Sequence, residues 1–197
     1  MPDRDTDERL LERASSGDEA AFQVLYLRYR DLIFRFAYRL VGSAAAAEDV
    51  THDCFLTLIK QPERFNPERA SFRTYLYAIA RNLSLKNFHN SRRESPLSEL
   101  GEGPPVADQQ QPVRQVLDRE LSREVQRAVA NLPPLQREAL ILFEYEELSL
   151  AEVAAIVDAD VGTVKGRLFR ARAGLRQGLA QYFNIGREIV TVGEGLK

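Results

Sequence analysis

The residues best suited to chemistry in this 197-residue chain are cations set on a helical repeat near its C-terminal end. Lys165, Arg167, Arg170, Arg172 and Arg176 interleave with Val161, Val164, Leu168, Ala171, Leu175 and Leu179. That apolar stripe, repeating at three and four residues, predicts a helix from about Val161 to Tyr182. One side would lock onto a scaffold. The other would offer Gly162, Thr163, Gly166, Arg167 and Arg170, flanked by Lys165, to phosphates and purine edges. Gly162 and Gly166 are poor helix formers, and without side chains they would let the backbone come close to a groove.

The elements that must position this face are legible upstream. Ser149-Leu150-Ala151-Glu152 reads as a capping box that starts a short helix with Val153, Ala154, Ile156 and Val157 on it. Asp158-Ala159-Asp160 follows as a turn, with Asp160 placed to cap the basic helix. Two helices so joined, the second apolar on one side and basic on the other, fit a helix-turn-helix that enters duplex DNA. A solvated basic face is the bland alternative; cap, turn and small-plus-basic face together favour the DNA-reading unit.

The net charge of −2 conceals this organisation. Residues 61–93 carry 7 basic and 2 acidic side chains, and residues 161–197 again 7 and 2. Residues 94–160, between the islands, are acidic. Two separated basic islands point to polyanion contact at two places. Pro96, Pro104, Pro105 and Pro112, with the tract Gln109-Gln110-Gln111, mark a flexible linker over 94–116, too polar to bury a core. It divides the chain into a first module at 1–93 and a second at 117–183, followed by a tail at 184–197 without an assigned role.

Both modules read as helical, so the expected fold class is all-α: two small helical domains joined by an acidic linker. Phe22, Leu25, Tyr29, Leu32, Ile33 and Phe36 form one stripe; Val50, Cys54 and Leu58 form another. Gly42 ends the first helix and Ser43 caps the next, while Ser71 begins a third carrying Phe72, Leu76, Ile79 and Leu83. One cysteine, Cys54, excludes an intramolecular disulfide framework and a multi-cysteine zinc site. His52 and Cys54 point in different directions on a helix and form no dyad, and no phosphate-cradling glycine loop is present. Neither an enzyme nor a metal or cofactor protein is expected. No apolar run approaches the roughly 18 residues of a membrane span, and the N-terminus lacks a signal-peptide pattern, so a cytoplasmic protein without membrane insertion is expected.

The string Val161-Gly162-Thr163-Val164-Lys165-Gly166-Arg167-Leu168-Phe169-Arg170-Ala171-Arg172, after Leu148–Ala154, resembles the DNA-binding domain of extracytoplasmic-function (group IV) sigma factors. Leu132-Pro133 and Gln136–Ala139 resemble its lead-in. The resemblance implies −35 contacts from Gly162, Thr163, Lys165, Gly166, Arg167 and Arg170. Phe143 stands where many members place an Arg, and Gly166 replaces a more usual Ser. Ala47–Leu56 resembles the family's polymerase-binding segment, which implies that Glu48, Asp49 and Asp53 contact core polymerase. Ser71–Asn82 resembles the segment that binds and melts the −10 element, with Tyr75 where Trp is usual and Lys86 where Asp is common. For this region the resemblance implies contacts from Phe65, Arg73, Tyr75, Tyr77, Asn82, Lys86, Arg92 and Arg93.

The resemblance thus implies a sigma factor whose partners are core RNA polymerase and promoter DNA, duplex at −35 and single-stranded at −10. An anti-sigma factor is allowed for as a further partner, although no residue identifies one, and no small-molecule substrate is expected. In this family the acidic linker threads the polymerase cleft. The alternative from another class is a stand-alone helix-turn-helix regulator, which would bind duplex DNA tightly without polymerase.

Overall fold

The computed structural model describes residues 5–94 and 112–193, with side chains described over 5–86 and 121–180. Among the described residues every regular element is helical, as the three- and four-residue spacing of the apolar positions requires. The part of the expected linker at 95–111 lies outside the described residues.

The first module begins with α1 (Asp7–Ser15), which no periodic pattern in the sequence announces. Its only strong apolar signal is the adjacent pair Leu10-Leu11, too brief to show a period. Both are buried, with Ala14. Thr6 caps the helix, and Asp7 ties it down through Arg28 and Tyr29. α2 (Glu19–Val41) starts at Asp18, whose carboxylate accepts from the amides of Ala20 and Ala21. It stops at Gly42, in the left-handed region at φ 77°, where glycine carries no steric cost. Ser43 then caps α3 (Ala44–Lys60). After a 3-10 turn at Pro62–Arg64, α4 (Phe72–Glu94) begins behind Ser71, whose hydroxyl accepts from the Thr74 amide. α2, α3 and α4 pack on one another around Leu25, Ile33, Phe36, Val50, Leu58 and Leu76, all fully buried.

The first helix after the linker begins at Pro112, five residues before the expected start of the second module at 117. Proline suits the first helical position, where no N–H is needed, and α5 runs from Pro112 to Ala130. α6 (Pro134–Leu140) uses Pro134 in the same way and continues without a break into a π-helical segment, Ile141–Tyr145. α7 (Leu150–Val157) and α8 (Val161–Gly193) complete the module. α8 continues past Tyr182 to Gly193, through most of the expected tail, because no proline interrupts it. α6 and α5 pack against α8, and α7 lies against α8 as the helix-turn-helix pairing predicts.

The two modules pack against each other. α4 packs against α7, and α2 packs against the π segment, so the buried side chains of both modules form one continuous cluster. No helix among the described residues is long and apolar enough to cross a membrane, and no group of side chains among them could hold a metal ion.

Candidate nucleic-acid interface

α7 and α8 are each capped at the N-terminus. Ser149 and Glu152 form the reciprocal capping box of α7: the Glu152 amide donates to Ser149 Oγ at 3.2 Å, and the Ser149 amide donates to Glu152 Oε2 at 2.9 Å. Asp158 takes the left-handed conformation at φ 51° and ends α7. Asp160 then caps α8, accepting from the Thr163 amide at 2.8 Å and from its hydroxyl at 2.6 Å. These bonds to the charged form hold the Asp160 carboxyl below its usual value. A Cβ at Gly162 would come within 2.9 Å of the capping Asp160 oxygen. A side chain there would press on the capping carboxylate, which would have to shift. A Cβ at Gly166 would meet only the far end of Arg170, at 3.7 Å, so that position is open.

Val164, Leu168 and Ala171 are buried and fix the rotation of α8. That rotation leaves Gly162, Thr163, Lys165 and Arg170 exposed on one side. Neither Lys165 nor Arg170 has an ion-pair partner among the described residues. Arg167 belongs to the same expected set but behaves differently. Its guanidinium turns inward, to Glu138 Oε1 at 3.4 Å, and its side chain is only 15 % exposed. Phe143, where a backbone-contacting arginine was expected in related chains, lies under Arg172, whose guanidinium sits 5.7 Å from the ring centre.

On the first module the expected residues divide in the same way. Asn82 and Lys86 are exposed on α4, and the Arg81 guanidinium donates to the Asn82 side-chain oxygen at 3.4 Å. Phe65 and Tyr75 are half-buried with ring centres 5.4 Å apart, and Phe65 also meets Phe72 edge-on. Tyr77, expected as a packing or stacking group, packs: it is fully buried against Phe36, with its hydroxyl donating to Glu146 of the second module. Burial, with that carboxylate beside it, drives the phenol well above its ordinary value. Arg73 is likewise committed: it donates to the Glu146 carbonyl and lies over the Tyr77 ring. Arg92 and Arg93 fall on α4, and their side chains lie outside the described residues. Glu48, Asp49 and Asp53 are exposed together on α3, with the exposed Leu56 following them.

Two carboxylates at the junction were not expected. Glu138 is buried and accepts from Arg81 at 2.9 and 3.1 Å; Glu146 is buried and accepts from Arg39 at 2.9 Å. A signal for Glu138 existed: it stands three residues after Leu135 and four before Leu142, inside an apolar stripe, where a carboxylate must be paired. Glu146 carried none, because Glu144, Glu146 and Glu147 look alike in sequence.

The model for Sigma-70 region 2 matches residues 25–94, and that for Sigma-70 region 4 matches residues 122–175. The chain is 33 % identical over 187 residues to the RNA polymerase sigma-H factor of Pseudomonas aeruginosa, covering 91 % of this chain and 96 % of that one. It is 32 % identical to the ECF RNA polymerase sigma factor SigW of Bacillus subtilis, covering 86 % of this chain and 94 % of the other. Among solved structures, CnrH in complex with the cytosolic domain of CnrY superposes with a TM-score of 0.66 at 25 % identity, covering 90 % of this chain and 99 % of that chain. The sigma factor RpoE of Bartonella quintana, in complex with NepR, shares the fold with a TM-score of 0.67 at 23 % identity, covering 81 % and 96 %. The two matches together favour a sigma factor over a stand-alone regulator, since region 2 accounts for the first module and region 4 for the second. With both modules matched and relatives aligned over nearly their whole length, the chain belongs to the ECF sigma factors of bacterial RNA polymerase.

Proposed function

We propose that α8 reads the duplex −35 element of its promoters through Gly162, Thr163, Lys165, Gly166, Arg167 and Arg170. In the same reading, α4 and the loop before it bind and open the −10 element, and Glu48, Asp49 and Asp53 dock on core polymerase. The observation that carries this is the exposed Lys165 and Arg170, without an ion-pair partner among the described residues, on a helix whose rotation is fixed by a buried stripe and whose N-terminus is capped by Asp160. Phe65, Tyr75, Asn82 and Lys86, with Arg92 and Arg93, form the proposed −10 surface; Arg73 and Tyr77 join it only if α4 and the second module part. The work is recognition and positioning without bond chemistry of its own. The acidic stripe on α3 supports polymerase contact because carboxylates at i and i+4 share one helix face. Like the CnrH and RpoE structures, which are complexes with CnrY and NepR, this chain is proposed to have an anti-sigma partner.

Run-off transcription with core polymerase and genomic promoters, followed by sequencing of the start sites, tests the reading. Lys165→Ala with Arg170→Ala should cut initiation at those promoters. Binding of the holoenzyme to promoter DNA should then depend less steeply on salt, by about one unit of log–log slope for each phosphate that the variant no longer neutralises. Full initiation with an unchanged slope would refute the assignment of this helix.

A further inference from the structure

The glycines of α8 are not alike. A Cβ at Gly162 would press on the Asp160 carboxylate at 2.9 Å, and one at Gly174 on the buried Leu132, also at 2.9 Å. One at Gly178 would touch Ala128 of α5 at 3.6 Å. Gly166 differs. A Cβ there would meet nothing of the scaffold, only the two terminal nitrogens of the Arg170 guanidinium at 3.7 and 3.8 Å. A glycine inside a helix costs stability relative to alanine, and at Gly166 no packing offsets that cost. Helical side chains lean toward the N-terminus, so Arg170 lies back over the turn that begins at Gly166. No carboxylate sets its place there. Arg167 and Arg172 are tied to Glu138 and Glu144, whereas Arg170 has no ion-pair partner among the described residues.

We infer that Gly166 is a positioning residue for promoter choice. By withholding a side chain it leaves a bare strip along α8 on which the Arg170 fork lies, and it thereby selects the base pair which that fork meets. The inference deepens the proposed −35 reading and rests on it. A guanidinium fork matches O6 and N7 of guanine, so the selected pair is one that contains guanine. An alanine at 166 would touch the fork where it lies, at ordinary contact distance. Valine has two γ carbons and little freedom in a helix, so one of them enters the strip and displaces the fork.

The test is run-off transcription by the full chain with core polymerase, from a promoter recovered in the genomic experiment and changed one −35 base pair at a time. Arg170→Ala first identifies the pair that Arg170 reads, as the position whose preference relaxes. Gly166→Val should relax the same pair about ten-fold and leave the others unchanged, with Gly166→Ala having a smaller effect. In the Arg170→Ala background Gly166→Val should add nothing. Replacing the guanine of that pair with 7-deazaguanine, which lacks N7, should reproduce the loss in the parent and change nothing in Arg170→Ala. Thermal unfolding reports the fold: Gly166→Ala should raise Tm by about 2–4 °C. Gly166→Ser carries the same comparison if the β-branched valine unfolds the helix. Loss spread over every pair, loss that persists without Arg170, an A·T preference at the selected pair, or an unchanged preference in a folded valine or serine variant would overturn the inference. If Arg170→Ala relaxes no pair at all, the proposed −35 role of Arg170 falls with it, whereas the other outcomes judge Gly166 alone.

Discussion

Replacing Ser149 with Ala tests whether the short helix α7 depends on its cap to present α8. An eight-residue helix is too short to hold itself in water, so the cap and its packing must supply the difference. Ser149 is exposed, and truncating it leaves no cavity. The loss is one bond from the Glu152 amide at 3.2 Å and one to Glu152 Oε2 at 2.7 Å. Such caps contribute about 1 kcal/mol, within a range of roughly 0.5–2. Glu152→Ala removes the same Oε2 bond, the bond from the Ser149 amide, and the link from Thr74 across the modules. It should cost about 1–2 kcal/mol. Because the two side chains share a bond, the double variant should fall short of the sum by roughly 0.5 kcal/mol. Urea titrations of the parent, both singles and the double give these values as midpoint shifts at constant slope. Strict additivity, or a Ser149→Ala variant as stable as the parent, would refute the reciprocal cap.

Two further outcomes follow from the same geometry. Bonds from Ser149 hold the Glu152 carboxyl below its usual value of 4.5, and Asp160 is shifted in the same direction by Thr163. A depressed folded-state value contributes stability that is complete above the unfolded value and is lost as pH falls through the folded one. Denaturation midpoints should therefore hold steady above about pH 5 and decline below about pH 4.5, less so in Glu152→Gln. Burial pushes the Cys54 thiol up to about 12, so iodoacetamide at neutral pH should leave the native chain unmodified and alkylate it once urea unfolds it.

What the sequence made legible was local. Ser43, Ser71, Ser149 and Asp160 cap the helices they precede, and Gly42 ends α2, because each acts on a backbone group only three or four residues away. The exposed face of α8 followed from its buried stripe for the same reason. The junction was hidden because its partners lie far apart in the chain: Arg39 meets Glu146, and Arg81 meets Glu138. Arg167 and Tyr77 look like ligand contacts in one dimension. In three, Glu138 and Glu146 reach them first. α1 escaped notice because it is held by three buried side chains and the bonds of Asp7 rather than by a long periodic stripe.

The π-helical turn at Ile141–Tyr145 gives this arrangement an unusual dependence on chain length. There the Glu146 amide donates to the Ile141 carbonyl at 3.1 Å, a loop one residue wider than an α-turn. Each residue advances about 100° around an α-helix. Removing one residue from this stretch would let the ladder close as a regular α-helix and swing Glu146 by about that angle away from Tyr77 and Arg39. α7 and α8 would turn with it. A single-residue spacer therefore sets the phase between the two modules, so an insertion or deletion here would retune their fit while every side chain on α8 kept its identity.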